Sequence, residues 1–227
     1  MNKRGSGNIE VLMAFVLFIG AVIVALYLLN PAKSANLEET SMNYAFGAIK
    51  NISFSEVESY SVKIMSSENR VSIALLPTNP TNDLVSVEDY YGDMKSSYAN
   101  GGIITFDKPS NNFTIIRFSH NIDSSSTPIT GTSAPYELSS SVTEDIVSES
   151  KFLAMNQTYY SDYESVKSSL KILASMEFSA RMYLPGKEIL MTREIPQNRN
   201  VVSRNERMRV LRSDGSIVFG NLEVSMW

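Results

Sequence analysis

The sequence has no cysteine and only one histidine among its 227 residues. The first absence excludes disulfide bonds, thiolate metal sites and cysteine nucleophiles, and the second leaves no pair of histidines to share a metal ion. We expect His120 at the surface or at a strand end. A nucleophile elbow, a P-loop and a dinucleotide-binding glycine motif are also missing from the sequence. We therefore expect neither an enzyme, nor a cofactor, nor a metal site.

The charge is modest and unevenly distributed. The formal net charge is −4, which gives no support for a dedicated nucleic-acid partner. Residues 181–212 nevertheless contain eight basic and three acidic residues, a net charge of +5, so the remainder carries −9. Either these arginines alternate on the solvent face of strands, or they form a basic face that meets an acidic face of another copy. DNA binding at the surface is a third, weaker interpretation.

A long apolar run lies close to the N-terminus. Residues 11–29 are nineteen consecutive uncharged residues, which as a helix would extend about 28 Å, close to the thickness of a bilayer core. Lys3 and Arg4 precede the run, which predicts a single-pass membrane protein with a cytoplasmic N-terminus and an extracellular head. The run is a permanent anchor, a secretory signal removed near Ala32, or a pilin-type signal cut before the apolar residues.

The residues before the run favour the third interpretation. The order Lys3-Arg4-Gly5, then Ser6-Gly7-Asn8-Ile9-Glu10, then apolar residues resembles the class III signal of archaeal type IV pilin-like proteins. The resemblance covers about the first thirty residues. It departs from the family pattern at Ser6, Asn8 and Ala14, where glutamine, serine and leucine are frequent.

The resemblance implies processing and assembly. A prepilin peptidase would cut between Gly5 and Ser6, which places Glu10 fifth in the mature chain. The new α-amine of Ser6 would pair with Glu10 of a neighbouring subunit. The implied partners are the peptidase, other pilin-like subunits contacted through the N-terminal helix, and the membrane. A glutamate at a membrane interface without a partner is the alternative.

The predicted fold class is α+β, with a long N-terminal hydrophobic helix and a mainly antiparallel β head, either a sandwich or a partly open barrel, with one or two short helices. The predicted segments are a signal at 1–5, a transmembrane or filament-core helix at 6–30, a helix extension or linker at 31–50, and the head at 51–227. Asp214-Gly215 and Gly220-Asn221 each predict a hairpin. The runs "GGIITF" and "NNFTIIRF" predict another.

Two further patterns complete the head. The spacing of apolar residues in "SDYESVKSSLKILA" predicts a helix with its N-cap at Ser161 or Asp162. "TEDIVSESKFLAM" is compatible with a helix or an irregular segment. The serine-rich residues 119–150 predict a surface loop.

Candidate modification and metal-binding residues lie in the head. Asn51, Asn112 and Asn156 each begin an N-glycosylation sequon, and an extracellular head would make them accessible. The carboxylates of "VEDYYGD", from Glu88 to Asp93, could hold a hard cation, but the spacing matches no EF-hand and we favour a solvated acidic loop.

These features together predict a structural protein. We expect a minor or accessory subunit of an archaeal type IV pilus-like filament, involved in assembly or adhesion, because the head is larger than a densely packed major subunit needs. The alternative is a monomeric, membrane-anchored extracytoplasmic binding protein that does not polymerise.

Overall fold

The computed structural model describes residues 6–28, 31–77, 84–123 and 127–227; side chains at 6–10, 26–28 and 31–38 are outside this description. The predicted signal at 1–5 lies outside the described residues. The chain forms two compact units, Met1–Ser41 and Met42–Trp227, and each is treated by itself.

The described residues form four helices and thirteen strands. The helices are α1 Ser6–Leu28, α2 Pro31–Ser53, α3 Glu149–Ser161 and α4 Tyr163–Ser169. The strands are β1 Phe54–Ile64, β2 Arg70–Ala74, β3 Val85–Asp89, β4 Met94–Lys95, β5 Ser97–Asn100, β6 Ile103–Asp107, β7 Phe113–Phe118, β8 Thr132–Ser133, β9 Tyr136–Ser148, β10 Phe178–Leu184, β11 Lys187–Met191, β12 Val202–Leu211 and β13 Ile217–Met226.

The strands form two sheets. A nine-stranded sheet has the order β11-β10-β13-β12-β9-β1-β7-β3-β4, and a four-stranded sheet has the order β5-β6-β2-β8. Pairing is antiparallel except between β9 and β12 and between β2 and β8. The parallel contact of β9 with β12 involves only two residue pairs, Val147 with Val210 and Ser148 with Leu211.

Helices cover one part of the large sheet. In β10, alternate residues point inward: Ala180 and Met182 are fully buried, whereas Arg181 between them is exposed. The inward side chains of β10, β12 and β13 join those of α3, α4 and the second half of α2 in one core. Phe46 of α2 is among the largest fully buried side chains of this core.

A second core lies between the two sheets. It contains inward residues of β1, β3 and β7 from the large sheet and of β2 and β6 from the small one. Phe106 of β6 and Ile116 of β7 are completely buried there. A smaller third cluster, around Val57 and Leu211, includes Ile122 from the loop that follows β7.

The predicted fold class is wrong. Strand residues outnumber helical residues in the described part of the chain, and the helices are four separate segments. The large sheet has edge strands at β11 and β4 and is not closed into a barrel. Only part of it packs on the second sheet, because helices cover β10, β12 and β13. Instead of the predicted sandwich or barrel, the structure has a mixed nine-stranded sheet. Helices cover one part of this sheet, and the four-stranded sheet covers another part.

The predicted long hydrophobic helix is also wrong for the described residues. None of the described helices combines enough length with enough hydropathy to cross a membrane. In α1 the described side chains extend from Val11 to Ala25.

The local helix and turn predictions have mixed outcomes. The chain is helical again from Pro31 onward, and α4 begins after Asp162, whose carboxylate accepts the N–H of Ser165 at 3.1 Å. The Asp214-Gly215 hairpin is confirmed, because β12 and β13 pair on either side of it and Gly215 has φ +84°. The Gly220-Asn221 hairpin is wrong, since both residues lie within β13.

Two predictions fail because pairing is not local. The strands β6 and β7 form no hairpin: β6 pairs with β2 and β5, whereas β7 pairs with β1 and β3. The serine-rich residues 119–150 are not one loop, because β9 occupies Tyr136–Ser148 and pairs with β1 along its length. The ambiguous segment 143–155 divides between β9 and α3.

Candidate functional site

The first candidate site is the surface of α1. Every described side chain of this helix, from Val11 to Ala25, is exposed. Leu17 is 70% exposed, Phe18 66% and Ile19 40%. A helix that is apolar on all sides normally has its whole circumference covered by protein or lipid. Among the described residues of this chain, nothing buries that surface.

The residues predicted for processing and assembly lie at the start of this helix. Gly5 is outside the described residues. Ser6 and Glu10 belong to α1, but their side chains are outside the described part of the chain. The structure therefore leaves the cleavage position and the Ser6–Glu10 pairing as predictions.

The three sequon asparagines differ in exposure: Asn51 is exposed, whereas Asn112 and Asn156 are half-buried. Asn51 is exposed in the last turn of α2. Asn112 is half-buried before β7 in the left-handed region, at φ +62°, and its Oδ1 accepts a hydrogen bond from Lys108 Nζ at 2.5 Å. The hydroxyl of Thr114, the third residue of that sequon, donates to the Glu88 carbonyl at 3.0 Å.

The asparagine of the third sequon makes a hydrogen bond to a neighbouring strand. Asn156 lies within α3, where its Nδ2 donates to the carbonyl of Leu190 in β11 at 2.9 Å. Tyr160, one turn later, donates to the same carbonyl at 3.1 Å. Because a glycan would be attached at Nδ2, the atom that contacts β11, the glycan would have to fit against that edge strand beside the Leu190 carbonyl.

The acidic loop "VEDYYGD" is a tight turn with paired carboxylates. Glu88 accepts a hydrogen bond from Arg117 Nη1 at 2.5 Å, and Asp89 forms an ion pair with Lys95 at 2.8 Å. The hydrogen bond from Lys95 lowers the pKa of Asp89 below its ordinary value, against the opposing effect of burial. No group of three metal-ligating side chains exists within the described residues. Glu88 and Asp89 are therefore paired with basic residues of the same chain, whereas residues 90–93 are exposed to solvent.

The same turn carries a feature that the sequence analysis missed. Tyr90 and Tyr91 are 75% and 78% exposed, and their ring centroids are 5.5 Å apart in an edge-to-face arrangement. We refer to residues 89–93 as the tyrosine turn. Two adjacent tyrosines in an acidic segment were a visible signal, but their exposure depends on the turn.

The basic stretch has two different roles in the structure. Arg207 and Arg209 are exposed on either side of buried Met208, as the first interpretation predicts. Arg207 lies over the ring of Phe219, with 4.5 Å to the centroid. Arg209 pairs within the chain with a β9 carboxylate at 2.5 Å. His120, also predicted at the surface or a strand end, is exposed two residues after β7.

Other basic residues attach α2 to the sheet. Lys50 pairs with Glu206 at 2.5 Å, and Arg204 lies over the ring of Phe46 with 4.5 Å to the centroid. The hydrogen bond from Lys50 lowers the pKa of Glu206. All four residues of these two contacts belong to the compact unit Met42–Trp227, which we refer to as the head, so the contacts stabilise the packing of this unit.

Comparisons with protein-family models, with curated proteins and with solved structures give no match. The proposals below therefore depend on this chain's residues and their contacts.

Proposed function

We propose that this chain is a structural subunit, minor or accessory, of an archaeal type IV pilus-like surface filament. The observation that supports it best is the exposed apolar surface of α1, residues 11–25. The other compact unit, Met42–Trp227, has a hydrophobic core of its own. Copies of the same helix can cover that surface by packing against one another. In water, burial of each large apolar side chain stabilises such a contact by about 1.5–3 kcal/mol.

Charges at the start of the helix would select the register. In the bundle that we propose, Glu10 would lie among apolar helices, where an unpaired carboxylate is unfavourable. Cleavage after Gly5 by a prepilin peptidase would create an α-amine on Ser6. This amine, on a neighbouring copy displaced along the filament axis, is the cation that Glu10 would pair with. The heads would then be displayed at the cell surface, where they are available for adhesion.

The N-terminus of the native protein tests the processing step. The measurement is N-terminal sequencing of chains isolated from cells, with Ser6 expected as the first residue. A first residue at Met1 or Ala35 would contradict the proposal.

Substitution of Glu10 tests the assembly step. We expect Glu10→Gln to be cleaved normally but to yield far less filament in material sheared from cells. Glu39→Gln, at an exposed position of α2, is the matched control and should assemble like the wild type. Equal filament yield from the Glu10 and Glu39 variants would show that the predicted pairing does not operate. A processed wild-type chain that remains monomeric would refute the filament function itself.

A further inference from the structure

A cavity of about 380 Å³ is lined in part by Met94 and Lys95, the two residues that directly follow the tyrosine turn. It is formed where β3 and β4 approach the loop after β7 and the turn between β12 and β13. Its lining combines apolar side chains, from Val85, Met94 and Ile122, with polar ones that include Ser97, Asp123 and Ser213. The volume is within the range of small-ligand pockets.

Several polar groups of this lining have no partner. Among the described residues, the side chains of Ser97, Asp123 and Ser213 make no hydrogen bond or ion pair. They supply two hydroxyls, which donate and accept, and one carboxylate, which accepts. The one cation of the lining, Lys95, is already paired with Asp89 at 2.8 Å. The cavity therefore offers hydrogen bonds to hydroxyl groups and no unpaired cation for an anionic ligand.

Close backbone contacts hold the cavity walls together. The N–H of Asp123 donates to the Ser213 carbonyl at 2.6 Å, and the Ser86 hydroxyl donates to the Gly215 carbonyl at 3.3 Å. A Cβ at Gly215 would lie 2.1 Å from the Ser86 oxygen, so only glycine permits this approach. The walls are thus pre-organised, which reduces the entropy lost on binding.

The tyrosine turn is equally well ordered. The Asp89 carboxylate accepts the N–H of Tyr91 at 2.8 Å and the N–H of Asp93 at 3.0 Å. Gly92 supplies the positive φ, +92°, that the turn requires. The chain then continues directly into β4, whose Met94 lines the cavity. The two exposed tyrosines therefore lie in the turn of the hairpin that supplies Met94 and Lys95 to the cavity lining.

We propose that the cavity and the tyrosine turn together form a binding site for a neutral saccharide. A sugar ring presents C–H groups on its faces and hydroxyl groups around its edge. The tyrosine rings and apolar lining would contact the C–H groups, and Ser97, Asp123 and Ser213 would bind the hydroxyls. Tyrosine suits such contacts because it offers a large rigid surface with little rotamer entropy to lose. This proposal goes beyond the filament function, since a single head would bind whether or not it assembles.

The test uses the full chain, purified in a mild detergent and applied to a broad array of immobilised neutral saccharides. We expect a subset of neutral saccharides to bind, and titration of the best one gives the reference affinity. The double variant Tyr90→Ala/Tyr91→Ala and the single variant Ser97→Leu, which fills the cavity, should each weaken binding by about tenfold or more. Tyr44→Ala removes a tyrosine that is 51% exposed on α2 and should leave the affinity unchanged.

Three results would overturn the proposal. These are no binding to any neutral saccharide, equal affinity of the cavity variants and the Tyr44 control, or binding of Ca²⁺ alone to the Asp123 region. The thermal unfolding midpoint of each variant separates lost binding from lost folding. Asp123→Asn is nearly isosteric and should weaken saccharide binding without lowering that midpoint. A chain with Phe18→Ser should retain saccharide binding, so failure of the filament proposal remains distinguishable from failure of this one.

Discussion

Substitution of Phe18 by serine measures how much the exposed surface of α1 contributes to assembly. Phe18 is 66% exposed, so about two-thirds of its side chain is available for burial against another copy. Complete burial of a phenylalanine stabilises a contact by about 1.5–3 kcal/mol, and two-thirds of that is about 1–2 kcal/mol. This difference corresponds to a roughly 5- to 30-fold change in the subunit concentration that coexists with filaments.

The assay is sedimentation of filaments formed after detergent removal, followed by measurement of the chain left in the supernatant. Phe18→Ser should raise this concentration by the stated factor, whereas Phe18→Leu should change it only slightly because the apolar surface is retained. The urea midpoint of the head, Met42–Trp227, should be the same in all three proteins because residue 18 belongs to the other compact unit.

Two results would refute this reasoning. Equal supernatant concentrations for Phe18→Ser and Phe18→Leu would show that the exposed surface of α1 is not buried on assembly. A lower urea midpoint in Phe18→Ser would show that Phe18 supports the folded head.

The remaining predictions concern the head. The pKa of Asp89 is lowered in the folded chain, so its contribution to stability is present above the unfolded pKa of about 3.9 and is lost as pH falls through the folded pKa. Amide hydrogen exchange in the tyrosine turn should therefore accelerate as pH falls through the folded pKa. Asp89→Asn should remove this pH dependence. Gly220→Ala should destabilise by about 1–3 kcal/mol in urea titration, because its Cβ would lie 2.7 Å from Leu184. Gly47→Ala, where a Cβ meets nothing within 4 Å in α2, should instead stabilise by about 0.5–1 kcal/mol; equal effects of the two substitutions would contradict this account. Mass spectrometry of native glycopeptides should find Asn156 unmodified, since its Nδ2 donates a hydrogen bond to the Leu190 carbonyl of β11. Full glycan occupancy at Asn156 would contradict this packing of α3 against β11.

Local sequence patterns predict local features of this head. The alternation of apolar residues in β10, the N-cap at Asp162 and the turn at Asp214-Gly215 depend on neighbours within a few residues. They agree with the structure for that reason. The exposure of Arg207 and Arg209 around Met208 follows from the same period of two.

Features that depend on distant partners were predicted incorrectly or missed. Glycine and asparagine at 220–221 suggest a turn, but β13 continues through them because β10 and β12 pair on both sides. Glu88 and Asp89 suggest carboxylates of a solvated loop, but β7 brings Arg117 to the first and β4 brings Lys95 to the second. The serines of β9 suggest a loop, but β1 supplies a partner strand. In each case a residue remote in sequence supplies the contact that decides the structure.

The amino-acid sequence by itself determined the absence of thiol chemistry, the apolar character of residues 11–29 and the turn at Asp214-Gly215. These properties depend on composition and on contacts between near neighbours. Tertiary structure alone decided that β6 and β7 belong to different sheets, that Glu88 and Asp89 are paired with basic residues, and that a cavity forms where β3 and β4 approach the turn between β12 and β13. The physical reason is that strand pairing and side-chain packing join residues far apart in the chain, and their free energies outweigh local preference.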